Sequence, residues 1–187
     1  MNFKDLLLKR KSAIRKKWFD SVIDSYPADA SDFLRKQKDR FLNPVGHTLM
    51  ENIHGLFDEI VLDADSEKVY PYLNDILKIK AVQNFSPSQA VSFIYLLKRV
   101  VREELESDIE KNKLTKELRS FENQLDNLAL LAFDIYMKCR ERIFDLRVNE
   151  IKTLTFRLLK RANLVHEVEE HEAYSGEKAV ITQNIKG

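Results

Sequence analysis

Proline and glycine are scarce in this chain, four of each in 187 residues. A loop-rich sheet protein needs many more such breakers, so their scarcity argues against that class and favours long helices. Cysteine is scarcer still. Cys139 stands alone, which excludes an internal disulfide and fits a reducing compartment. An excess of one charge is missing too: 31 basic residues face 30 acidic ones, for a net charge of +1. Bulk electrostatics therefore give no reason to expect nucleic acid or another polyanion as partner. Long apolar runs are absent. The longest interior run, Leu128 to Phe133, falls far short of the roughly 20 residues a membrane span needs. The start, MNFKDLLLKRKSAIRKKWF, offers only Leu6-Leu7-Leu8, too short for the apolar core of a secretion signal. The expectation is a cytoplasmic chain with no membrane insertion.

What is present is a helical pattern. Apolar residues make up 44% of the chain, enough for a real core. Phe3, Leu7, Ile14, Trp18 and Val22 recur at three-, four- and seven-residue spacing, which predicts a first helix over about 2–25. Tyr26-Pro27 ends it, because the residue before a proline avoids helical backbone. Lys9, Arg10, Lys11, Arg15, Lys16 and Lys17 surround that stripe and read as the solvated back of a core helix. A short helix is expected over 28–41. Asn43-Pro44 then caps and opens a helix carrying Val45, Leu49, Ile53, Leu56 and Ile60 on one side. Another begins at Ser66, with Val69, Leu73, Ile76, Leu77 and Val82 inward. Ser86-Pro87-Ser88-Gln89 reads as a capping box with proline at the first helical position. It opens a largely buried helix through Ala90, Phe93, Ile94, Leu97, Val100, Val101 and Leu105, to about Ser107.

From Thr115 no glycine or proline follows until Gly176. Leu118, Phe121, Leu125, Leu128, Ala132, Ile135, Tyr136, Cys139 and Ile143 form a broad inward face. Beyond it the pattern narrows to a seam: Phe144, Ile151, Leu158 and Val165 lie seven apart, with Leu154 and Val168 between and Arg147 and Arg161 interrupting. A continuous helix of about 50 residues is about 75 Å long, longer than a small bundle is wide. Its end is expected to project, with Ile151, Leu154 and Leu158 at an interface and a second copy as the cheapest partner. The expected organisation is an all-α bundle over 1–143, a projecting helix over 144–172 and a mobile tail over 173–187.

Catalytic signatures are lacking. His47 and His54 lie seven apart on one helix, about 10 Å of rise, where metal ligands on a helix usually stand three or four apart. His166 and His171 are five apart, one residue too many for the zincin pattern. A weak surface metal site from His166 and Glu170 is the only metal reading they leave, and no metal centre is expected. Cys139 reads as a core thiol. No Gly-rich phosphate loop, nucleophile elbow or paired-carboxylate spacing is present. These absences predict a binding module rather than an enzyme, with no cofactor.

Two strings carry a resemblance. One runs from Trp18-Phe19 through Tyr26-Pro27 and continues as Phe33 to Leu49, FLRKQKDRFLNPVGHTL. The other is KAVQNFSPSQAV, Lys80 to Val91, ending at Leu97-Lys98-Arg99. Together they resemble the N-terminal domain of RsbRD-type RsbT co-antagonists over about residues 1 to 145. The resemblance implies a helical sensory input domain, globin-like but without haem in one form, that signals through its C-terminal helix to an output domain. Only a short tail follows that helix here, so the expectation is a stand-alone regulator that dimerises and binds a small ligand or protein partner. A ligand-free structural adaptor and, more distantly, a haem-binding globin-like sensor are the alternatives. The candidate ligand residues are His47, Gln83 and Gln89, polar groups near helix starts where free N–H groups can hold an anion.

Overall fold

The structure, a computed structural model, describes residues 2–36, 39–63, 65–162, 165–167 and 180–182. The expected first helix is two helices, α1 (Phe3–Lys9) and α2 (Lys11–Ile23). The break falls at Arg10, whose φ of −96° and ψ of 6° leave the helical region. The bend does not disturb the apolar row: Phe3, Leu7, Ile14, Trp18 and Val22 are all buried, and Leu6 joins them. Asn2 and Asp5 close a capping box at the start of α1. Three of the basic residues behind the row pair with carboxylates from elsewhere in the bundle. Lys11 reaches Asp58 at 2.7 Å, Arg15 pairs with the same carboxylate, and Lys17 pairs with Glu104.

Helix α3 (Ala28–Lys36) stops short of the expected Phe41. Asp39 accepts a hydrogen bond from the Phe41 N–H at 2.7 Å, a local side-chain turn that competes with further helix. Phe41 and Leu42 are exposed as a result. Helices α4 (Pro44–Val61) and α5 (Ser66–Val82) pack closely on each other. Glycine at position 55 allows this approach, because a Cβ there would overlap the Tyr72 ring. Leu49, Ile53, Leu56 and Ile60 of α4 are buried as expected, whereas Val45 is half-buried. On α5, Val69, Leu73, Ile76 and Leu77 face the core, but Val82 is exposed. The last turn of α5 instead buries Lys80 and Ala81.

Helix α6 (Pro87–Asn112) runs past the expected Ser107, because Ile109 continues the buried period. It packs against α2, α1 and α5. The Trp18 ring stacks beside Phe93 at 6.3 Å, and its Nε1 donates to the Phe93 carbonyl at 2.7 Å. Helix α7 (Thr115–Arg161) buries Phe121, Leu125, Ala129, Ala132, Ile135 and Tyr136. Leu118, Leu128, Cys139 and Ile143, expected inward, are half-buried.

The chain divides into two compact units, residues 1–140 and 141–187. The first contains the core just described. The second holds the last turns of α7 and a short antiparallel ribbon, β1 (Val165–Glu167) with β2 (Val180–Thr182), in which His166 lies opposite Ile181. The expected helix to residue 172 therefore ends at Arg161, and Val165 lies on a strand instead of in the seam. Val168, Glu170, His171 and most of the expected tail over 173–187 lie outside the described residues. The fold is all-α with a long C-terminal helix, and this ribbon supplies the only strands among the described residues. Among those residues no helix is long and apolar enough to cross a membrane.

Candidate functional site

The two strings singled out in the sequence are both corners. At the first, Asn43 is buried and caps α4: its Oδ1 accepts from the Gly46 N–H at 2.9 Å, and its Nδ2 donates to the Leu34 carbonyl at 2.9 Å. A Cβ at position 46 would overlap the Asn43 amide, so the cap needs glycine there. Pro44 takes the first helical position, where its missing N–H is harmless. This corner is structural.

The second corner, between α5 and α6, holds more chemistry. Asn84 is left-handed, with φ 59°. The Asn84 N–H donates to the Ala81 carbonyl at 3.3 Å and the Phe85 N–H to the Lys80 carbonyl at 3.2 Å. This is the Schellman arrangement, which brings the side chain just past the turn onto the residue three from the helix end. Here those side chains are Phe85 and Lys80. The Lys80 ammonium lies 4.4 Å from the Phe85 ring centroid and 5.2 Å from that of Tyr26. The two rings meet edge to face at 5.1 Å. Lys80 is fully buried, and its ammonium has no hydrogen-bond partner among the described residues. Burial pushes its pKa down to about 8 and that of the Tyr26 hydroxyl up to about 12, because each charged form loses its water.

Three groups grip this corner from outside. The Tyr26 hydroxyl, in the link before α3, donates to Gln83 Oε1 at 3.1 Å. The Tyr136 hydroxyl of α7 donates to the Phe85 carbonyl. One turn further along α7, Arg140 Nη1 donates to Asn84 Oδ1 at 2.8 Å and to the Ala81 carbonyl at 3.0 Å. The Ser86–Gln89 capping box follows at once, with both of its bonds formed.

The expected ligand residues are not one cluster. Gln83 belongs to this corner through Tyr26. Gln89 is engaged with Ser86, and the N–H groups of Gln89 and Ala90 both donate to Ser86, so two donors an anion would use are taken. His47 sits on the first turn of α4, its Nδ1 3.2 Å from Glu51 Oε2. A shallow cleft of about 300 Å³ nearby is lined by Pro44, Val45, Thr48, Asp75, Lys78 and Ile79, not by His47. His54 is half-buried and its pKa is lowered, by burial first and by the Arg15 guanidinium second. Among the described residues no three His, Cys, Asp or Glu side chains gather as a metal site.

The residues that sequence reasoning missed are Lys80, Tyr26, Phe85 and Arg140. A signal for Lys80 was available. It falls three residues after Leu77 and four after Ile76, on the buried stripe of α5, where a lysine is out of place.

The described residues thus form an all-helical bundle whose long C-terminal helix meets the α5–α6 corner through Tyr136 and Arg140. The model of the RsbT co-antagonist protein rsbRD N-terminal domain matches residues 12–151. This chain belongs to that family. It is also 24% identical, over 134 residues, to an uncharacterized protein of Archaeoglobus fulgidus, a match covering 71% of this chain and 79% of that one. No solved structure matches it.

Proposed function

We propose that this protein is a cytoplasmic regulatory input module that pairs with a second copy along α7 and signals through that helix, without catalysis of its own. One observation carries the reading. All the large exposed apolar residues of α7 but Leu146 lie in heptad register: Leu130, Met137, Phe144, Ile151 and Leu158 follow one another at intervals of seven, with Phe133 and Leu154 between them. Ile151 is 62%, Leu154 50% and Leu158 65% exposed, an apolar row that water solvates poorly and that a copy of the same helix would cover. Arg147 and Arg161 interrupt the row, which weakens pairing and suits a regulated contact over a permanent one. A small ligand or protein partner would act by favouring one arrangement of the α5–α6 corner over another. Of the three expected ligand residues, Gln83 is the polar contact within that corner. His47 and Gln89 are kept as the outlying ones.

The test is the mass of the full chain by light scattering, alone and as Leu154→Asp/Leu158→Asp. A dimer that becomes a monomer while its circular dichroism stays helical supports the reading. A monomeric parent, or a mass that the double substitution leaves unchanged, overturns it.

A further inference from the structure

Among the described residues two corners show the Schellman arrangement in full, and one of them places a charge where the other places an apolar side chain. Between α6 and α7, Lys113 is the left-handed residue, the Leu114 N–H donates to the Ile109 carbonyl at 3.0 Å, and Leu114 and Ile109 are both buried. That is the usual apolar pair of such a turn. Between α5 and α6, Phe85 stands where Leu114 stands, and Lys80 where Ile109 does. An apolar side chain would fill the place of Lys80 without loss. The lysine instead brings a charge out of water, and two ring faces replace only part of the hydration of its three N–H groups. The closed corner is therefore less stable than its packing alone would make it.

The same corner holds the middle of α7, whose earlier turns are held separately by Lys98–Asp126, Arg102–Glu122 and Gln124–Asp63. Phe85 covers Lys80 with its ring and receives Tyr136 with its carbonyl. Asn84, next to it, receives Arg140. A displacement of the Phe85 main chain that carries its ring off the ammonium also breaks the Tyr136 bond, whereas rotation of the ring alone leaves that bond intact. The path to water is short, because Lys80 lies three residues before the helix cap at Gln83, and its four-carbon stem is long enough to turn outward.

We propose that the α5–α6 corner is a latch on α7, kept easy to open by the unpartnered Lys80 ammonium, and that opening frees Tyr136 and Arg140 together. The release as a signal rests on the reading of α7 given above, but the latch itself does not depend on pairing.

Amide hydrogen exchange of the full chain at neutral pH tests it, with Lys80→Met and Tyr136→Phe beside the parent. Amides over 83–90 and 133–140 should exchange with one common opening rate in the parent. Lys80→Met should slow both segments roughly tenfold or more, with little effect on residues 45–60, and Tyr136→Phe should speed them. Unchanged exchange at the corner, or equal slowing of the whole bundle, overturns the proposal. Should Lys80→Met fail to fold, amine acetylation read by mass spectrometry decides. Labelling of Lys80 relative to exposed Lys78 should rise in Tyr136→Phe, and an unchanged ratio overturns the latch. Exchange as expected in a chain shown to be monomeric would keep the latch and remove the pairing. A dimer whose corner ignores Lys80→Met would do the reverse.

Discussion

The hydroxyl of Tyr136 donates to the carbonyl of Phe85 across a sequence separation of 51 residues. Tyr136 is buried in the middle of α7, and Phe85 sits in the turn between α5 and α6. With Arg140 one turn further on, this bond ties the middle of α7 to the α5–α6 corner. Removing the hydroxyl leaves the ring in place and strands a carbonyl. Tyr136→Phe should destabilise the fold by about 1 to 2 kcal/mol, read as a lower urea midpoint with an unchanged denaturant slope. An unaltered midpoint would show that water replaces the bond without loss.

Lys80 makes the opposite prediction. Lys80→Met keeps much of the side-chain volume and removes the buried charge, so it should stabilise the fold by roughly 1 to 3 kcal/mol. A lower melting temperature would mean that contact with Tyr26 and Phe85 outweighs desolvation.

The pH dependence follows from the same group. A lysine depressed to about 8 in the fold and near 10.5 when exposed disfavours folding wherever both forms are charged. The penalty is complete below pH 8 and is relieved as pH rises from 8 toward 10.5. Tyr26 sets an upper limit, because its pKa rises from 10.0 to about 12 in the fold. The stability it contributes is present below pH 10 and is lost as pH climbs through 12. Between pH 8 and 10 the parent should gain stability relative to Lys80→Met, measured as the difference between the two unfolding free energies. A constant difference across that window would contradict the depressed lysine.

Gly46→Ala should cost about 1 to 3 kcal/mol, because the added methyl overlaps the Asn43 side chain that caps α4 and satisfies the Leu34 carbonyl. Urea unfolding of this variant beside Asn43→Ala gives the check. If the cap is what glycine protects, the double variant should lose less than the sum of the two single losses.

Ser86 accepts from the Gln89 N–H at 3.3 Å and opens α6. Ser86→Ala should cost about 1 kcal/mol, the usual loss for a removed N-cap. An effect near zero would leave the reciprocal Gln89 bond as the one that holds the helix start.

Caps and stripes were legible in the sequence because they depend on neighbours a few residues away. Asn43-Pro44, Ser86-Pro87-Gln89 and the buried rows of α4, α5 and α6 need only the 3.6-residue period and the shortage of hydrogen-bond partners at helix ends. The exposed row at Ile151, Leu154 and Leu158 was legible for the same reason. The break at Arg10, the early end of α3 and the strand at Val165 were not: the end of α3 coincides with a side-chain turn at Asp39, and the strand exists only by pairing with residues 180–182. The sequence by itself determined an all-α chain, its helix starts apart from that of α2, and most of its apolar faces, because local hydrogen bonding and periodic burial decide these. The tertiary structure alone decided that the Lys80 ammonium meets no hydrogen-bond partner among the described residues and that Tyr26, Phe85, Tyr136 and Arg140 meet at one corner. Those contacts join residues tens of positions apart, and no local pattern specifies which of the buried faces will touch.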